Sequence, residues 1–400
     1  MPGGTRPEGD GGWLAYDANR ARVYAARGNK RSDFYEYDPA QDSWIALSPW
    51  PAGAEGRSPG RGSAGCADGS GNIYATKGHN TRGFYKYLAA TDSWTQLTDV
   101  PLGITNKKVT GGTDLVYVPG VIPDSDYVYL LKGYKNEFWR YNPVRDSWYS
   151  LADAPAARYD RGSWLALDYP SGTVYAHQAK YHVFYPYDLG AQTWGAVLVG
   201  MPFVGGSGRS KKSKDGGSAA WFDNNIYALK GGNTQEFWRF TPSSGAWVEL
   251  ETIPQMGTAG KNKKVKTGGD ITATENGLCA LKGNKTDELW QYTPWRGFTS
   301  WPGREGTMGG PSPLRDARMA ICPNPLRQGF VTISVTGLKR SSGPVTVGVY
   351  NAAGRLVRHW LLPTGHRSLA LDFGSMSTGV YLVKLGSHGL AATQKLVVQR

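Results

Sequence analysis

The stretch Val23-Tyr24-Ala25-Ala26-Arg27-Gly28, followed by Phe34-Tyr35-Glu36-Tyr37-Asp38-Pro39 and then Asp42-Ser43-Trp44, is the first copy of a pattern written into the chain six times. Each copy runs from an apolar residue through an aromatic and small residues to a cation before glycine. A polar loop, an aromatic-rich segment closing near Tyr-x-Pro, and a Ser-Trp segment follow. The later copies open at Ile73, Val128, Val174, Ile226 and Leu278, at intervals of 46 to 55 residues. A repeat of this length is one supersecondary unit that buries its apolar faces only by stacking on its neighbours.

Each copy divides into four strand-length pieces. In the fifth these are Ala219–Phe222, Ile226–Lys230, Glu236–Phe240 and Ala246–Leu250, with Asn224-Asn225 and Pro242–Gly245 as turns. Alternation puts Ile226, Ala228 and Lys230 on one face of the second strand and Tyr227 and Leu229 on the other. The Trp of the fourth strand is expected between units. The order of motifs resembles the kelch repeat: an apolar inner strand, Ile-Tyr-x-x-Gly-Gly, a loop, a strand ending in Tyr-Asp-Pro, and a Trp strand. It departs at the glycine pair, whose first glycine is replaced by Arg27, Lys77, Lys132, Gln178, Lys230 and Lys282. The resemblance covers about residues 10 to 302 and implies a six-bladed β-propeller.

Composition agrees with an all-β chain. Of 400 residues 54 are Gly, aromatics make 12% and charged residues 19%, which suits short strands and tight turns. The net charge is +13, but from Arg315 onward 11 Lys and Arg face two Asp and Glu, so +9 of the excess lies in that last fifth. The aromatics recur at core positions instead of interleaving with cations, which argues against nucleic acid. Cys66, Cys279 and Cys322 are far apart and form no CxxC or Cys/His metal spacing. No apolar run is long enough to span a membrane. Residues 1–10 read as a disordered tail without the apolar core of a signal peptide.

After Pro302 the period stops. Residues 303–316 read as a linker, and 317–400 as about seven short alternating strands, the pattern of an immunoglobulin-like β-sandwich. Cys322-Pro323-Asn324-Pro325, Val349-Tyr350-Asn351-Ala352-Ala353-Gly354-Arg355, Gly379–Lys384 and Gln394–Val398 are similar, in that order, to the C-terminal sorting domain of type IX secretion cargo. The resemblance implies recognition by the type IX machinery and a place outside the cell or on the bacterial surface. The absent signal peptide departs from that family's pattern and leads to the expectation that an export segment is missing.

Two sets of cations are expected on one face of the ring. Arg27, Lys77, Lys132, Lys230 and Lys282 stand at the same position of five blades. Lys108, Arg161, Lys212 and Lys264 stand on the loops before the first strands, with Arg61 and further lysines. Converging cations around a concave mouth concentrate anions. The strand cations also have a structural reading, because acids open the third strands: Asp33, Glu137, Glu236 and Asp287-Glu288. The fourth blade breaks the pattern with His177, Gln178, Lys180 and His182. Two histidines without a third ligand do not make a metal site, so no metal and no cofactor are expected. Asn29, Asn80, Asn136, Asn233 and Asn284 recur on the rim, either as turn residues or as hydrogen-bonding groups for a glycan. No sialidase-type box or phosphate-cradling Gly-Lys-Ser/Thr loop occurs. These residues favour a secreted binding protein for an anionic ligand such as an acidic polysaccharide. The alternatives are a carbohydrate-active lyase or hydrolase using the same mouth, and a protein–protein scaffold.

Overall fold

In a computed structural model each of the six copies forms an antiparallel sheet with its strands in sequence order. The structure describes residues 1, 7–120, 125–257, 260–294, 297–300, 318–324, 326, 330–336, 345–351, 356–362, 368–372, 376–387 and 390–399. The chain divides into two compact units, Met1–Gly303 and Arg304–Arg400. In the first unit the fifth blade comprises Ser218–Phe222, Asn225–Leu229, Phe237–Thr241 and Ala246–Glu249, within one residue of the expected bounds. The sixth is completed by Gly297–Ser300. First strands of successive blades pack side by side, and Asp270–Thr274 packs against Trp13–Asp17, which closes a six-bladed ring.

Period-two alternation explains why the ring coheres. Ile226 and Ala228 join a cluster with the fourth blade, while Tyr227 and Leu229 join one with the sixth. Six such clusters exist, one at each junction. The recurrent Trp reaches backward across its junction. Trp94 lies 4.8 Å from Phe34 and 4.2 Å from Trp50, and its Nε1 donates to Ser48 O at 2.9 Å. Trp148, Trp194 and Trp247 donate likewise to Thr98, Ala152 and Val199. The aspartate of Asp-Ser-Trp holds the left-handed turn (Asp92 φ 45°) and accepts from Tyr87 Oη at 2.7 Å and Ser48 N at 2.8 Å. One side chain thus fixes a hairpin, a core tyrosine and the preceding blade.

The fourth blade has a split outer strand, Thr193–Trp194 and Leu198–Val199, both paired to Val183–Asp188. Pro186 stands in that third strand and has no N–H to give, so the ladder is interrupted there.

The N-terminal expectation is corrected. Residues 7–10 are built into the ring and are not a tail: Glu8 is fully buried, Gly9 N donates to Arg27 O, and Asn29 Nδ2 donates to Pro7 O at 2.9 Å. They occupy the place that inter-blade loops fill at the other junctions.

The second unit is two antiparallel sheets. Arg318–Cys322, Phe330–Thr336 and Ser368–Asp372 form one; Leu356–Leu362, Val345–Tyr350, Gly379–Ser387 and Leu390–Val398 form the other. Val331 and Ile333 from the first sheet share a core with Val347, Val349, Val383 and Leu396 from the second. Asn324 of the Cys-Pro-Asn-Pro motif ties down the last strand, accepting from Val397 N at 3.0 Å and donating to Lys395 O at 2.6 Å. The expected linker 303–316 and hairpin turn 352–354 lie outside the described residues.

Candidate functional site

The five strand-end cations are not on the rim, which corrects the first half of the expected site. Arg27, Lys132, Lys230 and Lys282 are 0% exposed and Lys77 is 2% exposed. Each lysine follows the last residue of a second strand and turns toward the loop arriving from the preceding blade. Lys77 Nζ donates to Pro51 O and Ala52 O, both at 2.6 Å; Lys132 Nζ to Pro101 O at 2.7 Å and Leu102 O at 2.8 Å. Lys230 reaches Phe203 O and Lys282 reaches Gln255 O. A neighbouring acid compensates the buried charge: Lys132 with Glu137 at 2.9 Å, Lys230 with Glu236, Lys282 with Glu288, and Arg27 with Asp287 at 2.7 Å. Burial raises the Glu137 carboxyl, but Lys132 and the Thr105 amide outweigh it and hold it below the ordinary range. In the second blade Gly83 stands where the acid would be. Burial pushes Lys77 down to about 8, against a weaker pull from Glu55.

The fourth-blade residues are equally internal. His177 is fully buried, stacks on Trp164 at 4.9 Å, and shares a 2.8 Å hydrogen bond between its Nε2 and Ser213 Oγ. Burial drives its imidazole down to about 3, so it is neutral. Gln178 fills the cation's slot and its amide donates to Arg158 O at 2.9 Å. His182 packs against Phe203 at 5.4 Å. Among the described residues no group of three metal-binding side chains occurs. The rim asparagines serve as turn residues: Asn29, Asn80, Asn233 and Asn284 have φ between 53° and 66°, and Asn136 donates to Ala154 O.

The loop cations are accessible to different degrees. Lys108 pairs with Glu55 at 3.1 Å. Lys212 is exposed, with its ammonium 5.8 Å from the Phe203 ring, and Lys264 is half-buried. Arg161 faces the axis, where the structure assembles a site that the motif reading only partly reached. A cavity of about 110 Å³ opens there, room for several waters, lined by the turns preceding all six first strands. These turns are themselves a repeat: Asp10-Gly11-Gly12, Arg61-Gly62-Ser63, Gly111-Gly112-Thr113, Arg161-Gly162-Ser163, Asp215-Gly216-Gly217 and Thr267-Gly268-Gly269. The middle glycine is required by both backbone and space. At Gly62 φ is 84° and a Cβ would lie 2.1 Å from Thr110 O of the next blade; at Gly268 φ is 85° and the clash is with Gly9 O.

Charges run across this mouth as a ladder. Arg61 Nε meets Asp10 Oδ2 at 2.9 Å, Asp10 Oδ1 lies 3.9 Å from Arg161 Nη1, and Arg161 Nη1 meets Asp215 Oδ2 at 3.0 Å. Below it, the third and sixth blades contribute Asp114 and Asp270. Asp114 Oδ2 accepts from Leu165 N at 2.7 Å and Asp270 Oδ2 from Leu14 N at 2.6 Å, each from the following blade. Burial raises Asp114 to about 7 and Asp270 to about 6, and the charge of Asp270 adds to the rise at Asp114. Asp10 and Asp215, which open the turn, and Asp114 and Asp270, which follow it, escaped the motif reading because they stand at two positions whose residue type changes from blade to blade. The flanking x-Gly-small repeat was the available signal.

Residues 320–399 match the family described as the secretion system C-terminal sorting domain. The protein is accordingly exported by type IX secretion to the cell surface or extracellular space, and the match points to an interaction of the sorting domain with the secretion machinery. No helix among the described residues is long and apolar enough to cross a membrane. Among solved structures the chain is similar to YjhT, with a TM-score of 0.52, 14% identity, and coverage of 75% of this chain and 99% of that one. It is also similar to an auxiliary nutrient binding protein from Bacteroides thetaiotaomicron, with a TM-score of 0.47, 12% identity, and coverage of 70% and 67%. The likeness to YjhT at such identity shows the fold alone. No curated protein matches the chain significantly.

Proposed function

We propose that the chain is a secreted or surface-held binding protein whose propeller takes an anionic ligand, an acidic polysaccharide, on the face that carries the axial mouth. One observation carries the reading. Two successive inter-blade loops present Arg209, Lys211, Lys212 and Lys214, then Lys261, Lys263, Lys264 and Lys266, all exposed except half-buried Lys264. Among the described residues none of these eight pairs with a carboxylate. The loops are neighbours: Thr267 Oγ1 of the second donates to Asp215 Oδ2 of the first at 3.4 Å, and a Cβ on Gly216 of the first would lie 1.9 Å from Lys266 O of the second. The ligand-binding surface is therefore this sector with the mouth beside it, while Lys77, Lys132, Lys230 and Lys282 hold the scaffold.

The test is binding of polygalacturonate to the propeller unit in low and high salt. Reversing Lys211, Lys212, Lys263 and Lys264 to Glu is expected to weaken it by roughly a hundredfold at low salt, and by much less once salt screens the charges. Equal binding by the variant sinks the assignment.

The competing enzyme reading draws on Asp114 and Asp270, two carboxyls held near neutrality in the same mouth. Its support is limited because both accept backbone N–H groups that join blades. Turnover of uronic-acid polymers, abolished by Asp114→Asn or Asp270→Asn in a folded protein, would establish it.

A further inference from the structure

We propose that Arg61 and Arg161 form a seat for a single carboxylate of the ligand, and that Asp10 occupies this seat in the free protein. The inference rests on the anionic-ligand reading and specifies its chemistry at the axis. The carboxylate of Asp10 already lies between the two guanidiniums, one oxygen 2.9 Å from Arg61 Nε and the other 3.9 Å from Arg161 Nη1. The first pair is half open to solvent, with side-chain exposures of 57% and 29%, and the second is long. Such pairs contribute little and exchange readily. The third blade has a glycine here because the Arg161 stem lies directly over it: a Cβ on Gly111 would stand 2.5 Å from Arg161 Cγ and 3.8 Å from Arg61 Cβ, so a larger residue would push Arg161 out of place. Guanidinium forks are suited to planar carboxylates.

What lies beneath sets the rest of the ligand. The cavity under the ladder is lined by Asp114 and Asp270 and by the residues Ser63, Thr113, Ser163 and Ser218. Carboxylate and hydroxyl oxygens accept more than one hydrogen bond, so these groups suit a body rich in hydroxyls. A carboxylate above and hydroxyls below describe a uronate, either free or as the end unit of an acidic polysaccharide. Asp10 then acts as an internal competitor that the ligand's own carboxylate displaces.

Calorimetric titration with galacturonate, galactose and polygalacturonate tests this. Galacturonate is expected to bind and galactose to bind at least about tenfold more weakly. Arg61→Ala and Arg161→Ala should each weaken galacturonate about tenfold or more, with Arg61→Lys in between. Asp10→Asn should strengthen it severalfold, an effect that a merely structural Asp10 would not produce. Melting curves confirm that each variant is folded. Unchanged galacturonate binding in both arginine variants, equal binding of galactose, or weaker binding by Asp10→Asn overturns the seat. Polymer binding that depends on the loop lysines, with no binding of the monomer, also overturns the seat and leaves the polysaccharide reading standing. Monomer binding that needs Arg61 and Arg161, with polymer binding indifferent to the lysines, does the reverse.

Discussion

The fifth and fourth blades perform one task with different chemistry. In each, a side chain at the end of the second strand must satisfy carbonyls of the loop arriving from the preceding blade. The fifth uses Lys230, which donates to Phe203 O and pairs with Glu236 at the start of the third strand. The fourth uses Gln178, which donates to Arg158 O, and Val183 stands where the acid would be. A buried charge requires a buried counter-charge, whereas a neutral amide does not. Cation and acid are therefore present or absent together in five blades, and what looks like a broken repeat is a consistent neutral solution. The second blade is the exception, a lysine with no acid.

The strongest way to break this comparison is to move the fourth blade's residue into the fifth. Lys230→Gln leaves Glu236 buried without its cation and should cost about 3–5 kcal/mol in urea unfolding. Adding Glu236→Val completes the fourth-blade pair and should recover most of the loss. A residual of about 1 kcal/mol is expected because Trp238 Nε1 also donates to Glu236. If the double variant is no more stable than the single, the two solutions are not interchangeable and the comparison fails.

The same two blades differ one residue earlier. Where the fifth blade places Leu229 against Val265, the fourth places His177 against Ser213. His177→Leu alone leaves the Ser213 hydroxyl with only the Lys180 N–H, at 3.3 Å, as partner and should cost about 1 kcal/mol, most of which Ser213→Val restores. The pH profile is diagnostic. The folded imidazole titrates near 3, well below its ordinary 6.5. As pH falls below 6.5 the unfolded chain takes a proton that the folded chain refuses, so the wild type loses stability toward pH 3. The double variant should lack that loss and become the more stable protein near pH 4. Parallel profiles for the two would show that His177 is not held neutral.

The ring and its blade bounds were legible because the strands' alternation and turn residues recur in six copies and the outer-strand Trp in five, with Phe298 in its place opposite Tyr292 in the sixth. The strand cations were misplaced because Lys-Gly in a linear pattern looks like a loop. Only the return path of the preceding loop, about 25 residues away for Lys77 and Ala52, shows that the ammonium points into protein. The tail reading of residues 7–10 failed likewise: the partners of Gly9 and Glu8 include Gly268 and Asp287, which only ring closure brings near. At the mouth the glycine framework was readable, but its charge ladder was not, since Asp10, Arg61, Arg161 and Asp215 come from four blades and make sense only as neighbours.

The smallest effect, and the sharpest test of the rule, lies in the second blade. Lys77 keeps its charge without an acid, held by two carbonyls and the face of Tyr85 at 4.8 Å. Lys77→Gln copies the fourth blade's solution and should change stability at pH 7 by less than about 1 kcal/mol, since a buried ammonium and a carbonyl network are lost and gained together. The difference appears at higher pH. The folded ammonium titrates near 8 and the unfolded one near its ordinary 10.5. Between these values the unfolded chain binds the extra proton, so stability rises with pH in the wild type. Subtracting the profile of Lys77→Gln isolates this slope from the tyrosines that titrate nearby. A flat difference between pH 8 and 10.5 would mean that the two carbonyls and the Tyr85 face stabilise the Lys77 ammonium as well as water does, and that a buried lysine in this slot needs no acid beside it.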